Sequence, residues 1–225
     1  MSSIELFQNK TDCCGCSACY NVCPRKAISM QEDEYGYVYP VIDQDKCVGC
    51  GLCRKVCHYQ ADKELRTPIK AYAAAGKKEE FLKKAASGGM FSLVADKILE
   101  EGGVVFGAAM EYHNNTLIPK HIAVESKEEL FKLQGSKYVQ SFIGNTYAEA
   151  KKYLADGRKV LFSGTPCQIE GLKGYLGREY ENLYTIDIIC HGVPNAKWFQ
   201  DYIKVFETKL QGSIYSVSYT HLRAH

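Results

Sequence analysis

Apolar and polar positions change their period several times along the chain, and the changes divide it. In the first part the apolar stretches are short. Ala27 to Met30 and Tyr37 to Ile42 predict two brief strands around a turn at Gly36. Gln60 to Pro68 is polar, charged and closed by a proline, which predicts a linker. From Ile69 onward the period alternates. Ala71 to Gly76 reads as a strand, and Glu79 to Ala86 as a helix that stops at Ser87-Gly88-Gly89. Phe91, Val94, Ala95, Ile98 and Leu99 recur at helical spacing, and Gly102-Gly103 ends that helix. Val104 to Met110 is a buried-type strand, and His121 to Val124 a shorter one. Ser126 with Glu129 reads as a capping box for a helix through Leu133. A helix from Thr146 to Ala155 precedes a strand from Lys159 to Ser163. Pro166 suits the first turn of a helix over Cys167 to Leu176. Leu183 to Ile189 is an apolar strand, Asn195 to Leu210 a helix, and Ser213 to Tyr219 a last strand. Alternating strands and helices predict an α/β domain with a mixed, mostly parallel sheet.

The cysteines change the picture of the first part. Cys13, Cys16, Cys19 and Cys23 are spaced Cys-x2-Cys-x2-Cys-x3-Cys and followed by Pro24. Cys47, Cys50, Cys53 and Cys57 repeat the spacing, with His58 in the place of the proline. In this bacterial ferredoxin run three cysteines hold one 4Fe-4S cluster and the fourth ligates the other cluster. A cubane needs one thiolate per iron, and a tight loop reaches three corners, so the fourth comes from the partner run. Cluster one therefore takes Cys13, Cys16, Cys19 and Cys57, and cluster two takes Cys47, Cys50, Cys53 and Cys23. Gly15, Gly49 and Gly51 let the backbone wrap close, so that N–H groups point at the sulfurs. A zinc site prefers two separated Cys-x2-Cys pairs. Cys14 is out of register, a bystander or an exchange partner for Cys13. The expected fold is an α+β ferredoxin-like two-cluster module over 1–59, a linker over 60–68, and an α/β domain over 69–219.

Composition excludes more than it selects. Lys+Arg number 28 and Asp+Glu 26, a net charge of +2, too balanced to argue for nucleic acid or a membrane surface. No apolar run approaches the ~20 residues of a membrane span. Met1 to Lys10 does not read as a signal peptide, and eleven cysteines without an export signal point to reduced thiolates in the cytoplasm.

Three motifs of the second domain sit at strand–helix junctions, where α/β sheets place ligands. Ser87-Gly88-Gly89 at a helix N-terminus is an anion site for a cofactor phosphate, or a plain glycine-rich turn. Gly164-Thr165-Pro166-Cys167-Gln168 follows a strand directly. A thiolate there has a lowered pKa and is a nucleophile, a redox thiol or a metal ligand. Cys190-His191-Gly192-Val193-Pro194 follows the next strand, and both cysteines emerge at one carboxyl edge of a parallel sheet. They are half of a third cluster site, or two small buried apolar residues.

Taken together, the two ferredoxin runs, Ala-Ser-Gly-Gly-Met-Phe at 86–91, Gly-Ser-Lys-Tyr-Val-Gln-Ser at 135–141, Gly-Thr-Pro-Cys-Gln at 164–168 and Cys-His-Gly-Val-Pro at 190–194 resemble the coenzyme F(420) hydrogenase/dehydrogenase beta-subunit family. The resemblance implies an iron–sulfur flavoprotein oxidoreductase in which FAD lies beside a 4Fe-4S cluster. It implies Ser87, Gly88 and Gly89 facing FAD phosphates, and Ser136, Lys137, Tyr138, Gln140 and Ser141 at the flavin. It adds Gly164 and Thr165 to the cofactor contacts, and Cys167 and Cys190 as two ligands of a third cluster. The family's other two ligands form a later Cys-x2-Cys that this sequence lacks, so the third cluster is expected in a full-length protein only. Residues 220–225 depart from the family and read as a non-native tail on a truncated frame. The expected route runs from a ferredoxin or another redox protein, through the clusters, to FAD and a small-molecule redox substrate. The alternative is a non-catalytic electron-transfer subunit of a larger redox complex.

Overall fold

The computed structural model describes residues 4–60, 67–85, 88–113 and 116–214. The predicted linker over 60–68, Ser87, the last predicted strand over 213–219 and the tail 220–225 fall largely or wholly outside them. In the first module β1 (Ile28–Glu32) and β2 (Val38–Ile42) form an antiparallel hairpin with Ile28 opposite Ile42. Two short helices, α1 (Ala18–Val22) and α2 (Leu52–Lys55), carry Cys19 and Cys53.

The second part is built on a four-stranded sheet ordered β4-β3-β5-β6. Here β3 spans Val104–His113, β4 Thr116–Val124, β5 Val160–Gly164 and β6 Leu183–Asp187. The β3–β4 pair is antiparallel, and β3–β5 and β5–β6 are parallel, so the sheet is mixed and mostly parallel. Period-two alternation sends Val104, Phe106, Val160 and Phe162 to one face, where they pack with Tyr147, Leu154, Ile169 and Leu172. Val105, Ala109 and Leu161 face the other way, onto Ala95, Ile98 and Leu99. One face is thus covered by α4 (Met90–Glu100), the other by α5 (Thr146–Ala155) and α6 (Pro166–Leu176). The last helix, α7 (Ala196–Leu210), lays Phe199 and Ile203 against Leu117 and Val139, and the Asn195 side chain caps it by accepting from Trp198 N–H at 2.8 Å. The remaining helix, α3 (Glu79–Lys83), is one short turn before the glycines.

The first module is not a separate bead. Ala18 and Val56 belong to the same buried cluster as Phe106, Phe162 and Leu172. At the far end of the module, Asn195 Nδ2 donates to Tyr35 O at 2.9 Å, tying the hairpin turn to the start of α7.

Two predicted elements are corrected. Residues 71–76 form no strand; Tyr72 is 80% exposed, and at the end of the stretch Gly76 N–H donates to Gly88 O at 2.7 Å. Among the described residues the segment pairs with no strand of the sheet, and its alanines and glycine are weak strand formers. The helix predicted through Leu133 shrinks to a 3-10 turn at Leu130–Lys132. Glu129 pairs with Lys132 at 2.6 Å, and the chain instead drops Leu130 and Leu133 into the core under α4.

Candidate metal centre

The two cysteine runs adopt the same backbone. Gly15 and Gly49 have φ of +65° and +69°, and the positions two residues later, Ser17 and Gly51, have +63° and +73°. Each run thus turns twice through left-handed conformations and then enters a short helix, α1 or α2. This conformation brings amides to sulfur. Backbone N–H groups of Gly15, Ala18, Tyr20 and Arg54 donate to Cys13, Cys16, Cys19 and Cys53, and Ala27 N–H donates to Cys23 Sγ at 3.3 Å. Burial pushes the Cys13 thiol up to about 11, and it raises Cys19 and Cys53 as well. Such thiols are poor thiolates by themselves and become good ones when a cation supplies the missing positive charge. The donor set, its amides and its burial therefore fit cubane ligation.

The sulfurs can be described as two groups in space. Cys13, Cys16, Cys19 and Cys57 act on one another electrostatically. Cys23, Cys47, Cys50 and Cys53 line one apolar hollow with Ile4, Ile28 and Ile42. The two groups differ in surroundings. In the second run Cys50 is exposed, Val48 is 57% exposed and Leu52 38%. In the first run, the equivalents of Val48 and Leu52 are the partly buried Cys14 and Ala18, the latter 1% exposed. The first run faces the α/β domain, and the second exposes Val48, Cys50 and Leu52 while its end, at Val56, also packs on that domain.

The contact between run and domain is made by α6. Cys167, Gly171 and Gly174 are spaced i, i+4 and i+7, one face of the helix. A Cβ on Gly171 would lie 3.1 Å from Cys16 Sγ, and one on Gly174 would collide with Val56 O. At the start of the helix, Thr165 N–H donates to Gln168 Oε1 at 3.0 Å, half of a capping box. Thr165 Oγ1 lies 3.1 Å from Cys167 Sγ. Cys14, expected to be a bystander or an exchange partner for Cys13, lies at the seam here: its sulfur is 3.8 Å from His58 Nε2 and within 4.8 Å of Cys16 Sγ, and it interacts electrostatically with Cys16 and Cys167. The proximity of the thiols raises Cys14 and lowers Cys16 and Cys167 against the opposing effect of burial. Cysteine spacing carries no sign of the roles of Cys14 and His58; the available signal was the glycine pair at +4 and +7 from Cys167.

Behind α6 runs a buried polar chain. His121, 2% exposed, donates from Nε2 to Ser163 O and accepts at Nδ1 from the Ser141 hydroxyl, both at 2.9 Å. Gln168 Nε2 donates to Ser141 O and Oγ at 3.2 Å, and Tyr147 donates to Gln168 O at 2.7 Å. Burial holds the His121 pKa down to about 4, so the ring is neutral.

The residues expected at a flavin are dispersed. Gly88 and Gly89 stand at the N-terminus of α4, where a Cβ on Gly88 would collide with Ala74 O. Lys137 Nζ donates to Gln134 O at 2.8 Å and Lys132 O at 3.1 Å, and burial lowers its pKa to about 8. Gln140 instead reaches the ferredoxin module, donating to Cys14 O at 3.0 Å. Ser141 serves His121, and Gly164 packs on Gln168. Tyr138 is 41% exposed and Ser136 is exposed. Beside the α4 glycines lies an open groove of about 530 Å³ lined by Lys78, Phe81, Lys84, Phe131 and Gln134 among others. Cys190, three residues past β6, emerges at the same carboxyl edge as Cys167, and its sulfur accepts from Gly192 N–H at 3.4 Å. Among the described residues no hydrogen bond joins Cys190 to Cys167.

Comparison with known proteins bears on the whole assembly. Residues 12–61 match the 4Fe-4S dicluster domain family. Residues 71–145 match the N-terminal part of the coenzyme F(420) hydrogenase/dehydrogenase beta subunit, and residues 157–224 its C-terminal part. The chain is 24% identical over 191 residues to the coenzyme F(420)-dependent sulfite reductase of Methanocaldococcus jannaschii, covering 81% of this chain and 28% of that protein. It is 33% identical over 55 residues to an uncharacterized ferredoxin of the same organism, covering 24% of this chain and 70% of that one. Among solved structures, a chain of the F(420)-reducing NiFe hydrogenase complex of Methanosarcina barkeri is 22% identical, with a TM-score of 0.47, covering 63% of this chain and 52% of that one. The chain thus spans under a third of the length of the sulfite reductase that it matches along most of its own.

Proposed function

Because the chain belongs to the coenzyme F(420) hydrogenase/dehydrogenase beta-subunit family, we propose that it is an iron–sulfur electron-transfer unit of a larger redox assembly. Cys47, Cys50, Cys53 and Cys23 hold an outer cluster that meets a ferredoxin or another redox protein. Cys13, Cys16, Cys19 and Cys57 hold an inner cluster that hands electrons to the α/β domain. One observation carries the direction: the first run packs on α6, with Cys16 Sγ 3.1 Å from the Cβ position of Gly171, while Cys50 of the second run is exposed. The protein's part is to hold the thiolates, aim amides at the sulfurs and keep the inner cluster dry.

A second reading, a complete flavin-dependent oxidoreductase, is favoured by the groove beside α4. Its two aromatic rings suit a flavin, and its three lysines stand among three carboxylates, Glu80, Asp96 and Glu128; Gly88 and Gly89 at the start of α4 would take the phosphates. FAD bound there would supply two-electron chemistry toward a small-molecule substrate, and a deazaflavin is the class suggested by the relatives' names. Cys167 and Cys190 belong to this reading as ligands of a third cluster.

Anaerobic reconstitution separates the two. Roughly eight iron and eight sulfide per chain with reversible reduction is the result expected of two clusters. Stoichiometric FAD uptake, lost in Lys84→Glu, supports the second reading. Fewer than about four iron per chain overturns both.

A further inference from the structure

Charge is divided unevenly between the two cysteine runs. The four ligands assigned to the outer cluster lie in residues 23–28 and 46–55. Those two segments hold Arg25, Lys26, Lys46, Arg54 and Lys55, with no Asp or Glu. Residues 13–22, which carry three ligands of the inner cluster, hold no charged side chain. The whole chain has a net charge of only +2, so the five cations are a local concentration and not an overall excess.

Lys46 is partly neutralised, because Asp43 pairs with it at 2.7 Å and Asp45 precedes it. Arg25, Lys26, Arg54 and Lys55 are exposed, and among the described residues no carboxylate pairs with them. Arg25 lines the hollow of Cys23, Cys47, Cys50 and Cys53 together with Val48 and Leu52. Lys26 follows in a turn that its N–H closes on Cys23 O at 3.1 Å, with a φ of +49°. Glycine or asparagine is the usual residue in that conformation, and here it is a lysine. Arg54 and Lys55 end α2 directly after Cys53, and Lys55 shares one side of that helix with the exposed Leu52, three residues before it. Val48, Cys50 and Leu52 thus form a small exposed apolar centre with unpaired cations around it.

We propose that this face docks an acidic redox protein, a small electron carrier with carboxylates around its own redox group. Arg25, Lys26, Arg54 and Lys55 meet the carboxylates, and Val48, Cys50 and Leu52 take the centre of the contact. This docking face rests on the electron-transfer reading above and gives its partner a chemistry. A carrier that arrives, delivers one electron and leaves needs fast encounter and a short stay. Exposed cations steer the approach and fix its orientation while adding little to permanence. A small apolar centre within a polar rim keeps the contact at the weak end of protein interfaces.

The test uses the full chain, anaerobically reconstituted with iron and sulfide, and an acidic bacterial-type ferredoxin as the probe. Both proteins are kept oxidised, so that no electron moves, and binding is measured by calorimetry at several salt concentrations. Binding is expected to weaken steeply between about 0.05 M and about 0.5 M salt. Arg25→Glu with Lys26→Glu, and Arg54→Glu with Lys55→Glu, each weaken binding at low salt by more than about tenfold and flatten its salt dependence. Iron, sulfide and reduction by dithionite stay as in the wild type, which shows that these variants fold and hold their clusters. Lys204→Glu with Lys209→Glu, the same charge change on α7, alters binding by less than about threefold. Binding that ignores both double reversals overturns the proposal, and a shifted cluster potential in those variants would then assign the cations to balancing the cluster's own charge. A dimer of this chain that the reversals dissociate also overturns it, because a second copy would then own the face. Salt-dependent binding lost in the reversals, without reduction of the clusters by reduced ferredoxin, upholds the docking face and overturns the electron-transfer reading instead.

Discussion

His121 occupies the middle of the polar chain that joins β4, β5, Ser141 and Gln168, and its charge state matters to all of them. Burial holds its pKa near 4, below the ~6.5 of an unfolded chain. Above pH ~6.5 both states are neutral and its contribution is whole. As pH falls from there toward 4, the unfolded chain takes up a proton that the folded chain refuses, and stability is lost. The loss reaches on the order of 3 kcal/mol. His121→Asn is expected to be less stable at pH 7 but to lose less between pH 6.5 and 4.5, measured as urea midpoints. Parallel pH profiles for the two proteins would remove His121 from the account. At this scale the sequence was legible where chemistry repeats locally. The two cysteine runs are read from spacing alone, because each run folds on its own loop. His121, Ser141, Gln168, Cys14 and His58 acquire their roles from partners distant along the chain, as do Gln140 and Cys14 O, 126 residues apart. No local pattern encodes such a pairing.

Helix α6 is the element through which the two parts meet, and its glycines decide how closely. Alanine improves an isolated helix by about 1 kcal/mol over glycine, which argues for substituting Gly174. The added Cβ, however, would collide with Val56 O, a backbone atom with no rotamer to escape into. Overpacking of this kind costs about 1–3 kcal/mol, so it outweighs the propensity gain. Gly174→Ala is therefore expected to lower the melting temperature and to loosen the end of the second run at Val56 and Cys57. Lys173→Ala, on the exposed side, leaves both near wild type. Increased stability in Gly174→Ala would mean that the module does not sit on α6. Elements with strong periodicity were predicted nearly to the residue, as α5 at Thr146–Ala155 was. Misread elements were those whose outcome depends on a neighbour. The stretch 71–76 is mostly alanine, a weak strand former, and has no strand beside it among the described residues, and Leu130 and Leu133 were claimed by the core before a helix could continue.

Across the whole molecule, the most exposed cysteine, Cys50, lies in the second run, although Cys53 of that run is buried. Phe106 and Phe162 are fully buried in the sheet, Ala18 of the first run shares their cluster, and Cys50 of the second run is exposed. On the proposed ligand assignment, the exposure of Cys50 puts the second cluster outermost and makes removal of the two clusters unequal. On that assignment, Cys53→Ser removes a ligand of the outer cluster, whose Cys50 is exposed. A protein donor must then reach the inner cluster through the module, so reduction by ferredoxin is expected to slow sharply. Dithionite, a small reductant, approaches from any side, and its rate should change little. Cys16→Ser should behave in reverse. Its outer cluster still accepts electrons from ferredoxin, but they stop there, and no acceptor in the α/β domain is reduced. Stopped-flow absorbance with both donors measures the four rates. If ferredoxin reduces the Cys53→Ser protein as fast as wild type, the second run is not the port of entry. The exposure of Cys50 would then describe how the module is packed and not how electrons cross it.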